Sequence, residues 1–166
     1  MSILSPYTEK HFEEIVREHL PFFRGMALRI LKNAADADDA VQMALLKGWN
    51  RRFFVRSSEK MTGWLGRIVI NESYNIYRKR QHENTITTNS IPETAMESEP
   101  SHEEQVTKLE SAIAELPEIY RETIHIALLS GVDTEEASRL LGCPVNTLYQ
   151  RIHKAKQLLR EALKDE

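Results

Sequence analysis

Two groups of side chains in this 166-residue chain have the types and spacing to do chemistry, and in both the chemistry is recognition of a polyanion. Near the C-terminus, Asn146, Thr147, Tyr149, Gln150, Arg151, His153 and Lys154 set amides, hydroxyls and cations on successive turns. Arg, Lys, Asn and Gln match the donors and acceptors of base edges in a major groove, while hydroxyls and amides hold phosphates. In mid-chain, Arg67, Asn71, Tyr74, Arg78, Lys79 and Arg80 mix cations, an amide and a phenol, with Asn75 and Tyr77 between them. Such groups stack on unpaired bases and neutralise phosphates. The plainer reading of this second group is a solvated basic helix end, because Lys and Arg are favoured at helix C-termini. Neither group comes with a nucleophile and base, a glycine-rich phosphate loop or metal-ligand spacing. Cys143 with His153 lacks further ligands, so no metal or cofactor is expected and an enzyme is the least expected class.

The first group needs a scaffold, and DTEEASRLLGCPVNTLYQRIHKAK provides one. Asp133, with Glu136 three places on, has capping-box spacing, and Ala137, Leu140 and Leu141 follow as an apolar face. Gly142 suits the left-handed residue that closes a helix, and Pro144 suits the first turn of the next. Leu148, Ile152, Ala155 and Leu159 at i, i+4, i+7 and i+11 then give the second helix a buried stripe. The recognition residues stay on its outer faces. Two helices joined by a sharp turn are the scaffold that delivers a recognition helix to duplex DNA. Many paired helices with polar outer faces never touch DNA, so this stretch alone does not decide.

The rest of the chain also reads as helix. Phe12, Ile15, Val16, His19 and Leu20 form a stripe that Phe22, Phe23, Met26, Ala27, Ile30 and Leu31 continue past Pro21, which should kink or divide the run. Asn33 to Ala35 break the pattern, and Asp36 is the expected cap of a helix whose buried face is Ala40, Val41, Ala44, Leu45, Gly48 and Trp49. Asp38, Asp39, Gln42 and Lys47 look outward, by pattern alone a solvated face. A basic loop with Phe53 and Phe54 leads to a segment with a core stripe of Trp64, Leu65, Ile68, Val69 and Ile76. Later, Val106, Leu109, Ile113 and Leu116 form another helix, which Pro117 restarts. Ile119, Tyr120, Thr123, Ile124, Ala127 and Leu128 are the expected packing face of the restarted helix.

Charge is partitioned along the chain. The net value is −3, but residues 51–80 hold eight basic and two acidic side chains while residues 81–105 hold none and six. Basic clusters around an acidic spacer say more about partners than the sum does. The spacer is polar, contains two prolines and lacks the apolar content to offset ordering. The expected organisation is therefore all-α, with a first domain at 1–81, a flexible linker at 82–105 and a helix-turn-helix domain at 106–166, each domain presenting a cationic face. One cysteine excludes an internal disulfide, and no long apolar run or leader is evident, so a cytoplasmic protein without membrane insertion is expected.

In this order the motifs resemble those of the extracytoplasmic-function sigma factors, the compact two-domain members of the sigma-70 family. DADDAVQMALLKGW is similar to the family's DAEDLVQETFLRAW, WLGRIVINESYNIYRKR to its WLYRIARNLALDYLRRR, and the stretch from ELPEIYRE to KAKQLL to its second domain. The resemblance covers nearly everything except the spacer. It implies a factor that binds bacterial core RNA polymerase and selects promoters, with no cofactor, and that commonly has an anti-sigma factor as a further partner. It also implies polymerase contact at Asp38, Asp39, Gln42 and Lys47, which displaces the solvated-face reading. Melted promoter bases would be taken by Asn71 and the loop before Trp64, with Trp64 itself in the core, and phosphates by Arg78, Lys79 and Arg80. The upstream element would be read through Tyr149, Gln150, His153 and Lys154, with Asn146, Thr147 and Arg151 nearer phosphates. Some departures weaken the match: Met43, Ala44 and Leu45 make the polymerase-facing surface less charged, and the recognition helix has fewer arginines than the family pattern, so it has fewer bidentate forks for guanine. Two rival readings are a sigma-like mimic that binds an anti-sigma factor without reaching promoters, and a stand-alone helix-turn-helix regulator.

Overall fold

The computed structural model describes residues 9–55, 57–87 and 99–164, and among these the ordered elements are all helical. Helices α1 (Glu9–Leu31), α2 (Ala34–Arg51) and α3 (Ser58–Thr87) pack on one another as a first bundle. Helices α4 (His102–Glu115), α5 (Glu118–Thr123), α6 (Thr134–Leu141) and α7 (Val145–Lys164) form the second, with a π-helical segment, Ile124–Leu129, continuing α5. The linker expected at 82–105 is shortened at both ends, since α3 runs to Thr87 and α4 begins at His102; residues 88–98 lie outside the described residues.

α1 buries Phe12, Ile15, Phe23, Met26, Ala27 and Ile30, the stripe that its periodicity marks. It is not divided at Pro21. That residue is exposed, so the carbonyl it frees one turn earlier lies on the side open to water. The chain turns at Lys32, whose φ is +55°. The cap of α2 is Asn33, whose side chain accepts from the Asp36 amide at 3.0 Å. Asp36 is therefore not the cap: it lies inside the helix, buried, and pairs with Arg80 of α3. α2 packs on α3, Ala37, Ala40, Val41 and Ala44 of α2 and Leu65, Val69 and Ile70 of α3 are buried, and Phe12 packs edge-on against Trp49 with ring centroids 5.3 Å apart. Trp64 is half-buried against this core.

The helix-turn-helix forms as its sequence dictates. The Asp133 carboxylate accepts from the Glu136 amide at 2.8 Å, a cap of about 1 kcal/mol. The Glu136 side chain does not complete a capping box and instead pairs with Arg139 at 2.5 Å. Gly142 takes φ +64°, a left-handed value that glycine adopts without the clash a Cβ would bring, and its amide donates to the Arg139 carbonyl. Leu148, Ala155 and Leu159 of α7 are buried, with Ile152 partly so. α4 packs Ile113 and Leu116 inward but leaves Val106 and Leu109 exposed.

The two bundles do not stand apart on their tether. α3 packs on α6 and α5, so the first domain's cationic helix is covered by the second domain along much of its length. Contact is closest at Gly63, where a Cβ would sit 1.9 Å from the Leu140 carbonyl oxygen of α6. Lys32 pairs with Glu110 farther along the same seam.

Candidate nucleic-acid interfaces and polymerase-facing surface

α7 displays its recognition residues openly. Asn146, Tyr149, Gln150, His153 and Lys154 are exposed, and Thr147 and Arg151 are half-buried beside them. Tyr149 is 56% exposed. Because the stripe Leu148, Ala155 and Leu159 fixes the helix rotation, these side chains share the opposite surface.

The α3 group is arranged differently. Asn71 donates from Nδ2 to Glu118 Oε1 at 2.8 Å and to Glu122 Oε1 at 3.0 Å, while Arg121 Nη2 donates to Asn71 Oδ1 at 3.2 Å. Tyr74 is buried, its hydroxyl 2.5 Å from Nε2 of His125, and the Arg121 guanidinium lies 4.6 Å from its ring centroid. Arg78 donates to the Ala114 carbonyl at 3.4 Å, and Arg80 is paired with Asp36. Arg67 is half-buried near the Glu122 carboxylate. Lys79 is exposed, lining a shallow cleft with Arg80 and Glu83. Asn71, Tyr74 and Arg78 are thus engaged by the second domain.

Burial sets the electrostatics of this seam. It lowers His125 to about 4, with Arg121 and then Arg29 adding to the effect, so the imidazole is neutral at pH 7. It raises the Tyr74 phenol and the Glu122 carboxyl, the latter opposed by the Asn71 hydrogen bond and by Arg67. Arg121 is lowered by burial and by Arg78. Sequence reasoning missed Glu118, Arg121, Glu122 and His125 because it gave the packing face of this helix to Ile119, Tyr120, Thr123, Ile124, Ala127 and Leu128; Thr123 and Ile124 are buried as expected, but Ile119 and Leu128 are exposed at 43% and 45%. A signal was available: Glu118, Glu122 and His125 fall at i, i+4 and i+7, a polar stripe inside an apolar stretch.

The outward face of α2 divides in two. Asp38 pairs with Arg24 at 2.7 Å, and Lys47 pairs with the buried carboxylate of Glu72. Asp39 and Gln42 are exposed. Gln42 borders a cleft of about 800 Å³ lined by Phe12, Val16, Leu20, Leu45, Leu46 and Trp49, with Leu46 65% exposed. Beyond α2, the Arg52 guanidinium stacks 3.6 Å from the Trp49 centroid and 4.2 Å from that of Phe53, and Phe54 is 82% exposed.

Residues 15–83 match sigma-70 region 2, and residues 107–159 match sigma-70 region 4. The chain belongs to the sigma-70 family, as an extracytoplasmic-function sigma factor. It is 28% identical over 160 residues to the ECF RNA polymerase sigma factor EcfG of Rhodopseudomonas palustris, covering 95% of this chain and 87% of that one. It is 26% identical to RNA polymerase sigma factor SigV of Bacillus subtilis, covering 91% and 90%. Among solved structures it resembles the sigma factor RpoE in complex with the anti-sigma factor NepR from Bartonella quintana, with a TM-score of 0.52 and 27% identity over 93% of this chain and 98% of that one. As a sigma factor it binds core RNA polymerase and directs promoter-specific initiation. Region 2 is then α1 to α3, and region 4 holds the exposed recognition helix α7. No described helix is long and apolar enough to cross a membrane.

Proposed function

We propose that this sigma factor acts in the cytoplasm, with no covalent step of its own, by reading two forms of DNA with two helices. α7 would enter the major groove of the duplex upstream element, with Tyr149, Gln150, His153 and Lys154 over base edges and Asn146, Thr147 and Arg151 nearer phosphates. α3 would take the melted element, Asn71 pairing with an unstacked base, Arg67 and Tyr74 flanking it, and Arg78, Lys79 and Arg80 along the backbone. The reading rests on one observation: the recognition residues of α7 form a continuous polar face that the fold leaves free.

The same proposal puts polymerase on α2, through Asp39 and Gln42 together with the apolar cleft at Leu46 and Trp49. Asp38 and Lys47, each already ion-paired, would frame it. Burial of the exposed leucines would supply most of the affinity, at about 25 cal/mol per Å². An anti-sigma factor is proposed as a further partner because a 27% identical sigma factor was captured with one.

Run-off transcription with core polymerase and a cognate promoter tests the reading. Arg151→Ala with Lys154→Ala should reduce initiation by about tenfold or more, as loss of about 1–3 kcal/mol per contact implies, without loss of polymerase binding. Unchanged transcription would overturn the assignment of α7 and favour a mimic that occupies an anti-sigma factor.

A further inference from the structure

Asn71 is held on both sides of its amide. Its N–H group donates to carboxylates of Glu118 and Glu122, and its carbonyl accepts from Arg121. A nucleobase edge offers the same pair to an asparagine: an acceptor for the amide N–H beside a donor for the amide oxygen. The three residues come from one helix of region 4, and the Tyr74–His125 and Gly63–Leu140 contacts hold that domain in place. We propose that α5 is a built-in base mimic. In the free factor Arg121 with Glu118 and Glu122 occupies the amide that would otherwise pair with an unstacked base, so region 4 and single-stranded DNA compete for the same face of α3. Glu122 also puts an acidic group beside Arg67, where a backbone phosphate would lie.

The consequence is an ordering of events. An α3 face closed by its own second domain cannot sample single strands at random, while the open face of α7 remains available. Docking on polymerase would part the domains and free Asn71 when melted DNA is at hand. This inference rests on the assignment of Asn71 to the melted element.

The test is binding of a short fluorescein-labelled single strand of random sequence to the free full-length factor, followed by fluorescence anisotropy. Glu118→Ala with Glu122→Ala removes the mimic. Gly63→Ala leaves charge unchanged and favours helix, yet its Cβ would collide with the Leu140 carbonyl and wedge the domains apart. If the closed form holds about nine-tenths of the molecules, both variants should bind about tenfold more tightly than the parent, with helical content by circular dichroism retained. Adding Asn71→Ala should abolish the gain. Unchanged affinity in both variants overturns the proposal. So does a gain confined to the charge-removing variant, which would be general electrostatics. In parallel, Asn71→Ala is assayed in the polymerase-bound factor on a promoter with a premelted element. Base preference unaltered there would fail the assignment of Asn71 itself, whereas preference lost there with no gain in the free variants would fail only the occlusion.

Discussion

α7 and α3 have much the same inventory of amides, phenols and cations, yet one helix shows them to solvent and the other folds them into the molecule. The difference lies in what surrounds each. α7 sits at the edge of its bundle with only one side buried, so its polar face has nothing to meet. α3 is central, packed against α1 and α2 on one side and α5 and α6 on the other. A polar group in that position must find partners, because a buried donor left unmade costs about 1–3 kcal/mol. Asn71 and Tyr74 find theirs in the stripe of Glu118, Arg121, Glu122 and His125. Identical residue chemistry therefore means an available surface in one place and an engaged one in the other.

The largest expected effect bears on the engaged side. His125 is lowered to about 4 in the closed molecule and returns to about 6.5 when exposed. Above pH 6.5 both states are neutral and the interaction is at full strength. As pH falls toward 4 the unfolded or opened form takes up a proton that the closed form resists, so stability is lost across that window, by on the order of 3 kcal/mol. Tyr74, Tyr77, Arg121, Arg29 and Glu110 are ionisable groups around it. Glu122, raised by burial, works in the opposite sense, since the closed form then takes up a proton more readily than the open one. Urea denaturation at pH 7 and at the acid end should show the loss, and His125→Gln should remove most of the slope. A slope unchanged in that variant would mean that the seam is not what titrates.

Next comes the same substitution on each helix. Asn71→Ala removes three hydrogen bonds and leaves the buried Glu122 carboxyl without this partner, and should cost about 1–3 kcal/mol of stability in the free protein. Gln150→Ala, on the open face, should stay within about 0.5 kcal/mol. Equal costs measured by chemical denaturation would erase the contrast. A smaller effect is expected at Asp133→Ala, which removes the cap of α6 and about 1 kcal/mol while leaving α3 contacts in place. The smallest change in stability is expected at Arg151→Ala, placed nearer phosphates, which should leave folding unchanged while weakening duplex promoter binding and lowering the slope of log affinity against log salt by about 1.

Local features were legible before any tertiary structure. The Asp133 cap, the Gly142 turn and the buried stripe of α7 follow from short-range rules, since a cap, a positive φ and a 3.6-residue period need only neighbours in sequence. Where a choice between faces depended on a remote partner, the same rules erred. Asp36 has the composition of a cap but is drawn inside by Arg80, forty-four positions away. Ile119 and Leu128 have the composition of a core, yet they face out because α3 presents groups that only a polar stripe can satisfy.

The sequence by itself determined the helices, their two bundles and the buried stripe of α7, because periodicity and capping act within a few turns. Only the tertiary structure decided that α3 is covered, and by what. Which helix fills the space beside Gly63 depends on backbones meeting across sixty or more positions, and a charge pattern read along the chain carries no information about that distance.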